Sequence, residues 1–200
     1  MNAISFTASL VERQTEIKPG EKVPSVKERQ PNGRFKDKDT VFLRMSKTKA
    51  DRKTILDLDK LWNSECTFVS SILSDRDYYE KEDKTIYVIS EQKDNFRKVD
   101  PKTILGIAEI TRNKKNYNIN FIQTRPDCIS KKKLRPFKNI GDAMMDRLID
   151  LTGDLKIYLK SLPEVTGFYE RFGYEIVDDS TAAPLMVLIK GKKRPKIHKL

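Results

Sequence analysis

Apolar and polar positions change period several times along the 200 residues. Val41, Phe42, Leu43 and Met45 form a short apolar run, which predicts a strand over 41–45. Ile55, Leu58, Leu61 and Trp62 recur at three- and four-residue spacing and predict a helix. Phe68, Val69, Ile72 and Leu73 predict a second one. The β-branched and aromatic runs TIYVIS (85–90) and TILGIAEI (103–110) predict strands on either side of a charged loop that ends in Pro101. Tyr117, Ile119 and Phe121 alternate with asparagines after the turn 113–116, so this strand and its predecessor predict a hairpin. A long basic segment, 125–138, leads to a helix from Asn139 with Ile140, Met144, Leu148 and Leu151 on one stripe. Gly153 is its expected stop. Leu155, Ile157 and Leu159 alternate with polar residues as a strand. A short helix over 164–172, stopped by Gly173, and strands over 174–177 and 185–189 complete the pattern.

The predicted order is β-α-α-β-β-β-α-β-α-β-β, an α/β fold with a mixed central sheet and helices on both faces. Residues 41–190 form the domain. Residues 1–40 read as a disordered tail: from Gln14 to Thr40 the apolar side chains are Ile17, Val23, Val26 and Phe35, among Pro19, Pro24 and Pro31. That stretch buries too little surface to offset its chain entropy. Residues 191–200 (GKKRPKIHKL) read as a basic tail.

Composition narrows the chemistry. Lys and Arg number 40 against 29 Asp and Glu, a formal net charge of +11. The apolar fraction of 38% falls below the roughly 45–50% of an average globular domain, as a polar tail would make it. No run of 18 apolar residues occurs, so no membrane span is expected. Residues 1–16 lack a basic segment followed by a long apolar one, so no secretory leader is expected and the chain reads as cytoplasmic. The only cysteines are Cys66 and Cys128, with no CxxC, which argues against a disulfide framework or structural zinc. The only histidine is His198, so Ser-His-Asp, Cys-His and His-ligated metal chemistry are excluded, and no metal is expected.

Two segments carry candidate chemistry. The first is Lys138-Asn139-Ile140-Gly141-Asp142-Ala143, at the start of an amphipathic helix. A helix N-terminus offers unsatisfied N–H groups and a positive dipole end, which suits a phosphate, and Gly141 would admit one close to the backbone. Asn139 is equally an ordinary N-cap, and Gly141 an ordinary small residue at a helix–sheet contact. The second is Gly167-Phe168-Tyr169-Glu170-Arg171-Phe172-Gly173-Tyr174, an aromatic short helix stopped by glycine and followed at once by a strand.

Together, in this element order, the two segments resemble the GNAT superfamily of acetyl-CoA-dependent N-acetyltransferases. The family's acyl-CoA loop reads Arg/Gln-x-x-Gly-x-Gly/Ala, and residues 138–143 match it with Lys138 in the first place and Asn139 where a glycine is common. Its last helix ends in a phrase like Phe-Tyr-Glu-x-x-Gly-Phe/Tyr-Glu, and residues 168–175 match it closely. The resemblance implies direct transfer of an acetyl group from acetyl-CoA to an amine: a protein N-terminus, a lysine or a small amine. It implies pyrophosphate binding on backbone N–H groups of Lys138 to Ala143. It implies a pantetheine arm between splayed strands near 117–124 and 155–160. A backbone N–H from Phe121, Ile122 or Gln123 would stabilise the oxyanion, and Tyr169 would protonate the departing thiolate. As structural alternatives, Tyr169 only packs.

For the base, Glu109 lies inside the apolar strand, where burial would raise its pKa, and it could act directly or through water. Its alternative is a paired or outward strand carboxylate, and Asp127 is a second candidate. The basic segment 125–138 is longer than the family's usual connection. It could hold the 3′-phosphate, cover the cleft or bind RNA. Two further readings therefore stay open: an inactive basic module of this fold binding RNA or ribosomes, and an acetyltransferase acting on aminoacyl-tRNA. Nucleic acid is weakly supported, since no specific readout motif is present. Acceptor identity and oligomeric state have no signature in the sequence.

Overall fold

A computed structural model describes residues 14–16, 25–45, 48–62, 69, 84–94, 98–129 and 134–189. The second predicted helix apart from Val69, Lys131–Lys133 and the 191–200 tail lie outside the described residues. An eight-stranded sheet runs in the order β1-β4-β5-β6-β7-β9-β11-β10. Its strands are β1 (Gln14–Glu16), β4 (Val41–Met45), β5 (Lys84–Ser90), β6 (Ile104–Arg112), β7 (Asn116–Thr124), β9 (Lys156–Lys160), β10 (Glu175–Asp178) and β11 (Leu185–Leu188). Every pairing in it is antiparallel except β7 with β9. Strand β6 lies between β5 and β7, and its first seven residues are buried, which is why it reads as a nearly continuous apolar run.

Helices cover both faces. Helix α1 (Lys49–Trp62) buries Ile55, Leu58 and Trp62 with Leu43, Ile86, Val88 and Ile107. The Thr48 hydroxyl accepts the Asp51 N–H at 3.2 Å and starts the helix. Leu61, expected on the buried stripe, is half exposed. Helices α2 (Ile140–Leu151) and α3 (Thr166–Glu170) contribute to a separate cluster with Phe42, Ile89, Ala108, Ile110, Ile157 and Met186. Gly153 follows α2 with φ +56°, the left-handed stop that the sequence predicts. Among the described residues no helix is long and apolar enough to cross a membrane.

The reading of residues 1–40 as disordered does not hold for 25–40. There β2 (Lys27–Arg29) and β3 (Phe35–Asp37) form a hairpin, and β2 pairs with β8 (Phe137–Lys138) in a second, three-stranded sheet. Its one aliphatic side chain, Val26, is fully buried in the α2 cluster. Lys38 bridges Glu28 at 3.2 Å and Glu91 at 3.3 Å. Composition underestimates this segment because its backbone bonds are completed by residues 137–138, more than a hundred positions away. Likewise β1 pairs with β4, Gln14 opposite Leu43.

Two features of the main sheet place the site. Strands β7 and β9 pair only from Asn116↔Lys156 to Ile119↔Leu159, and beyond that they separate. The register of β7 on β6 shifts between Phe121↔Glu109 and Ile119↔Ile110, so Asn120 is a one-residue bulge. Tyr117, Ile119 and Ile122 therefore face the α2 cluster while Phe121 faces the α1 cluster. The uninterrupted 117-119-121 face expected from alternation is broken at that point.

Helix α2 meets the sheet at Gly106, where an added Cβ would lie 2.8 Å from Ile140 Cγ2. Ile140 is β-branched and stiff at that atom. Gly106→Ala is therefore expected to lower unfolding free energy by about 1–3 kcal/mol through overpacking, measured by urea denaturation.

Candidate active site

The opening between β7 and β9 continues into a cavity of about 930 Å³. One wall is β7, with Ile119, Asn120, Phe121, Ile122 and Thr124. The other is Leu159, Leu162 and Val165, roofed by Phe168 and Tyr169 of α3. Its far end is Lys138, Asn139, Ile140, Gly141 and Asp142, at the start of α2, with Arg135 and Arg171 beside them. The fold thus brings seven cofactor-site candidates and Tyr169 onto one surface.

On β7 the backbone polarity can be followed from Arg125, whose N–H donates to Leu105 O at 2.8 Å. Hydrogen-bonding direction alternates along a strand. Gln123 and Phe121 therefore turn their N–H groups toward β6, and Ile122 and Thr124 turn theirs toward the opening. Of the three residues expected to supply an oxyanion donor, Ile122 alone has that orientation. Phe121 lines the opening as a half-buried residue whose side chain packs on the α1 cluster. Gln123 does not line the cavity; its side chain is 9% exposed, and its amide finds no hydrogen-bond partner among the described residues.

At the α2 end, Asn139 is the only non-glycine described residue with positive φ, at φ 64°, ψ 17°. It makes no side-chain cap; its Nδ2 instead donates to Ser25 O at 3.4 Å. The ordinary N-cap alternative is therefore not what forms. The first intrahelical bond is Ala143 N–H to Asn139 O, 3.0 Å. That leaves the N–H groups of Ile140, Gly141 and Asp142 without helical acceptors, next to the cavity. Ala143, expected among the phosphate donors, is excluded because its N–H is used and its methyl is buried. Lys138 pairs by backbone with Lys27 and lays its Nζ 4.2 Å from the Phe35 ring centre.

The glycine at 141 has a packing reason as well. Its Cβ would meet Phe168 Cζ at 3.3 Å, so α3 closes directly over the start of α2. The Asp142 carboxylate is held by Arg171 at 3.3 Å. Among the described residues four cations (Arg135, Lys138, Lys160, Arg171) and two acids (Asp142, Glu164) line the cavity, an excess that suits an anionic ligand.

Tyr169 packs edge-on against Phe168, ring centres 5.1 Å apart, and against Tyr174 at 6.0 Å. Burial raises its hydroxyl above the ordinary phenol range, so it holds its proton at neutral pH. Tyr174 is buried and raised further, by burial first and by Tyr169 second.

Glu109 is 1% exposed and lies on the α1 face, outside the cavity wall. Its Oε1 accepts from Asn120 Nδ2 at 2.7 Å, and Lys84 Nζ is 3.9 Å away. It meets the cavity through Asn120, which does line it, so a direct role as base is corrected to that of a buried, paired carboxylate. Asp127 fails for a different reason. Burial acts to raise its pKa, but hydrogen bonds from Arg125 (Nε at 2.7 Å, Nη2 at 3.1 Å) and Cys128 outweigh it and hold it below the ordinary value. An acid so stabilised as the anion is a poor base.

Sequence reasoning gave no site role to Asn120 and Gly106, and singled out the segment of Phe168 and Arg171 without assigning either one a role at the cavity. A signal for Asn120 exists: the apolar phase moves from 117 and 119 to 122, as a bulge requires. Nothing local marks Gly106, whose role depends on Ile140.

The sequence matches no protein-family model and no curated protein. Solved structures do match. An acyl-CoA N-acyltransferase from Pseudomonas aeruginosa aligns with TM-score 0.53 at 13% identity, over 74% of this chain and 98% of that one. Escherichia coli ElaA aligns with TM-score 0.51 at 12% identity, over 73% and 96%. A mutant of KacT aligns with TM-score 0.51 at 9% identity, over 75% and 94%. The chain has the GNAT fold.

Asn139→Ala should cost about 1 kcal/mol more than Asn139→Gly in urea denaturation, since both lose the Ser25 contact but only alanine resists the left-handed backbone. Cys128 is buried, and burial, with Asp127 second, pushes its thiol up to about 12. It therefore stays protonated through neutral pH. Iodoacetamide at pH 8 should label Cys128 at least about 100-fold more slowly in the folded protein than in urea, read by peptide mass spectrometry.

Proposed function

We propose that this protein is an acyl-CoA-dependent N-acyltransferase that moves an acetyl group from acetyl-CoA directly to an amine. One observation carries the reading: a single cavity joins a strand opening with an outward backbone donor, a helix N-terminus with three available N–H groups, and a half-buried, protonated tyrosine. The fold likeness to an acyl-CoA N-acyltransferase supports it.

The residues fit the group. The left-handed Asn139 turns the chain so that the N–H groups of Ile140, Gly141 and Asp142 can receive a diphosphate, with Arg135, Lys138 and Arg171 adding charge. The outward C=O of Ile122 and the N–H and C=O of Thr124 match the amides of a pantetheine arm. Leu159, Leu162, Val165 and Phe168 supply apolar walls for its carbon chain. CoA contributes an acyl group activated as a thioester.

The chain's own residues then do three things. Ile122 N–H donates to the acyl oxygen as negative charge grows on it. Tyr169 holds a proton for the sulfur. The apolar walls exclude water. In balance, the amine nitrogen bonds to the acyl carbon, the carbon–sulfur bond breaks, the amine loses a proton and the sulfur gains one.

The test is calorimetric titration with acetyl-CoA, CoA and ATP. Binding of the first two and not ATP is expected. Binding of none would overturn the assignment and leave a basic binding module to be tried against RNA. Tyr169→Phe should lower kcat by about 100-fold while the Kd for CoA stays within twofold. An unchanged kcat would make Tyr169 a packing residue.

A further inference from the structure

Asn120 is the bulged residue of β7, and it is the point where the buried polar groups of the α1 face meet the cavity. Its Nδ2 donates twice, to Glu109 Oε1 at 2.7 Å and to Thr111 Oγ1 at 2.8 Å. Both amide hydrogens are thereby spent on neighbours from one strand, β6. The amide cannot flip without placing its oxygen against the Glu109 carboxylate. The hydrogen-bonding atom left over is Oδ1, an acceptor, on an exposed side chain that lines the opening.

Position matters as much as polarity. Asn120 precedes Ile122 by two residues, at most about 7 Å along the strand. Ile122 faces the α2 and α3 side, where the diphosphate end and Tyr169 lie. Asn120 faces the other side, with Glu109 and Thr111. A thioester entering from the α2 side would have its acyl carbon near the Ile122 N–H, and the approach left to a second substrate is the side that carries Asn120.

We infer that Asn120 Oδ1 is the recognition point for the acceptor. It accepts a hydrogen bond from the incoming amine, and Glu109 and Thr111 act as positioning residues that fix the amide. The bulge leaves Asn120 and Phe121 on the same face, at the point where β7 stops pairing with β9. The ligand class is a primary amine or ammonium with an N–H to give. The inference rests on the acyltransferase reading, since it assumes that CoA occupies the α2 side.

The experiment uses the full chain loaded with CoA and two probes, n-butylammonium and n-butyltrimethylammonium. They share charge and carbon chain, but the second has no N–H. Side-chain amide NMR resonances follow binding. The expected result is a saturable shift of the Asn120 amide with butylammonium only, and about tenfold weaker butylammonium binding in Asn120→Leu. Thr111→Val, which removes one orienting bond, should weaken it severalfold, and it serves as the second variant should the leucine variant misfold. CoA affinity within twofold of the parent certifies each variant.

Loss of CoA binding in the parent protein would defeat the acyltransferase reading itself. Intact CoA binding with equal affinity for the two probes, with no butylammonium binding, or with an unaffected Asn120→Leu variant, would overturn this inference alone.

Discussion

The site depends on one constraint: β7 and β9 are parallel neighbours that pair over only four residues. A parallel ladder normally continues as long as both strands stay extended and in register. Here β7 is interrupted by the Asn120 bulge immediately after the last paired residue, Ile119. The bulge turns β7 away, leaves the inward backbone groups of Ile122 and Thr124 without a β9 partner, and opens the cavity. Backbone groups exposed in this way need a partner to replace the lost ladder. An extended, amide-bearing ligand provides one, which ties the sheet defect to the chemistry proposed for it.

The rest of the cavity is arranged around that opening by packing. Gly106 lets the first turn of α2 approach β6 closely, and Gly141 lets Phe168 of α3 approach α2. Two missing side chains thus bring the N-terminus of α2, α3 and the open strands together. The small sheet of β2, β3 and β8 adds a brace on the outside. Val26 enters the α2 cluster, and the Ser25 carbonyl holds the amide of Asn139 in a backbone conformation that costs free energy for any residue but glycine. Local strain at the proposed phosphate turn is therefore offset by a segment that arrives from far away in sequence.

The cavity keeps its polar groups unevenly placed. The α2 end carries cations, the middle is apolar, and the α1 side is closed by the Glu109–Asn120–Thr111 network. An anionic, a lipophilic and a hydrogen-bonding section in that order suit a long cofactor meeting a small amine at its reactive end. The burial of Glu109 behind Asn120 removes it from direct proton transfer.

The sequence by itself determined the elements whose signals are local. Strands β4, β5, β6 and β9, the helices α1 and α2, and the glycine stops are legible because periodicity and left-handed turns are decided within a few residues. The aromatic phrase around Tyr169 and the turn at Gly141 were legible for the same reason, and they named most of the cavity. Only the tertiary structure decided which groups point into it. The N–H of Ile122, rather than that of Phe121 or Gln123, faces the opening because β6 takes up the N–H groups of alternate residues counted from Arg125. Ala143 drops out because its N–H closes the first helical turn, and Glu109 loses direct contact with the cavity because the sheet places it behind Asn120. The hairpin at 25–40 was illegible for a related reason. Its strand partner is residues 137–138, and no local pattern records a hydrogen bond that is made across the whole domain.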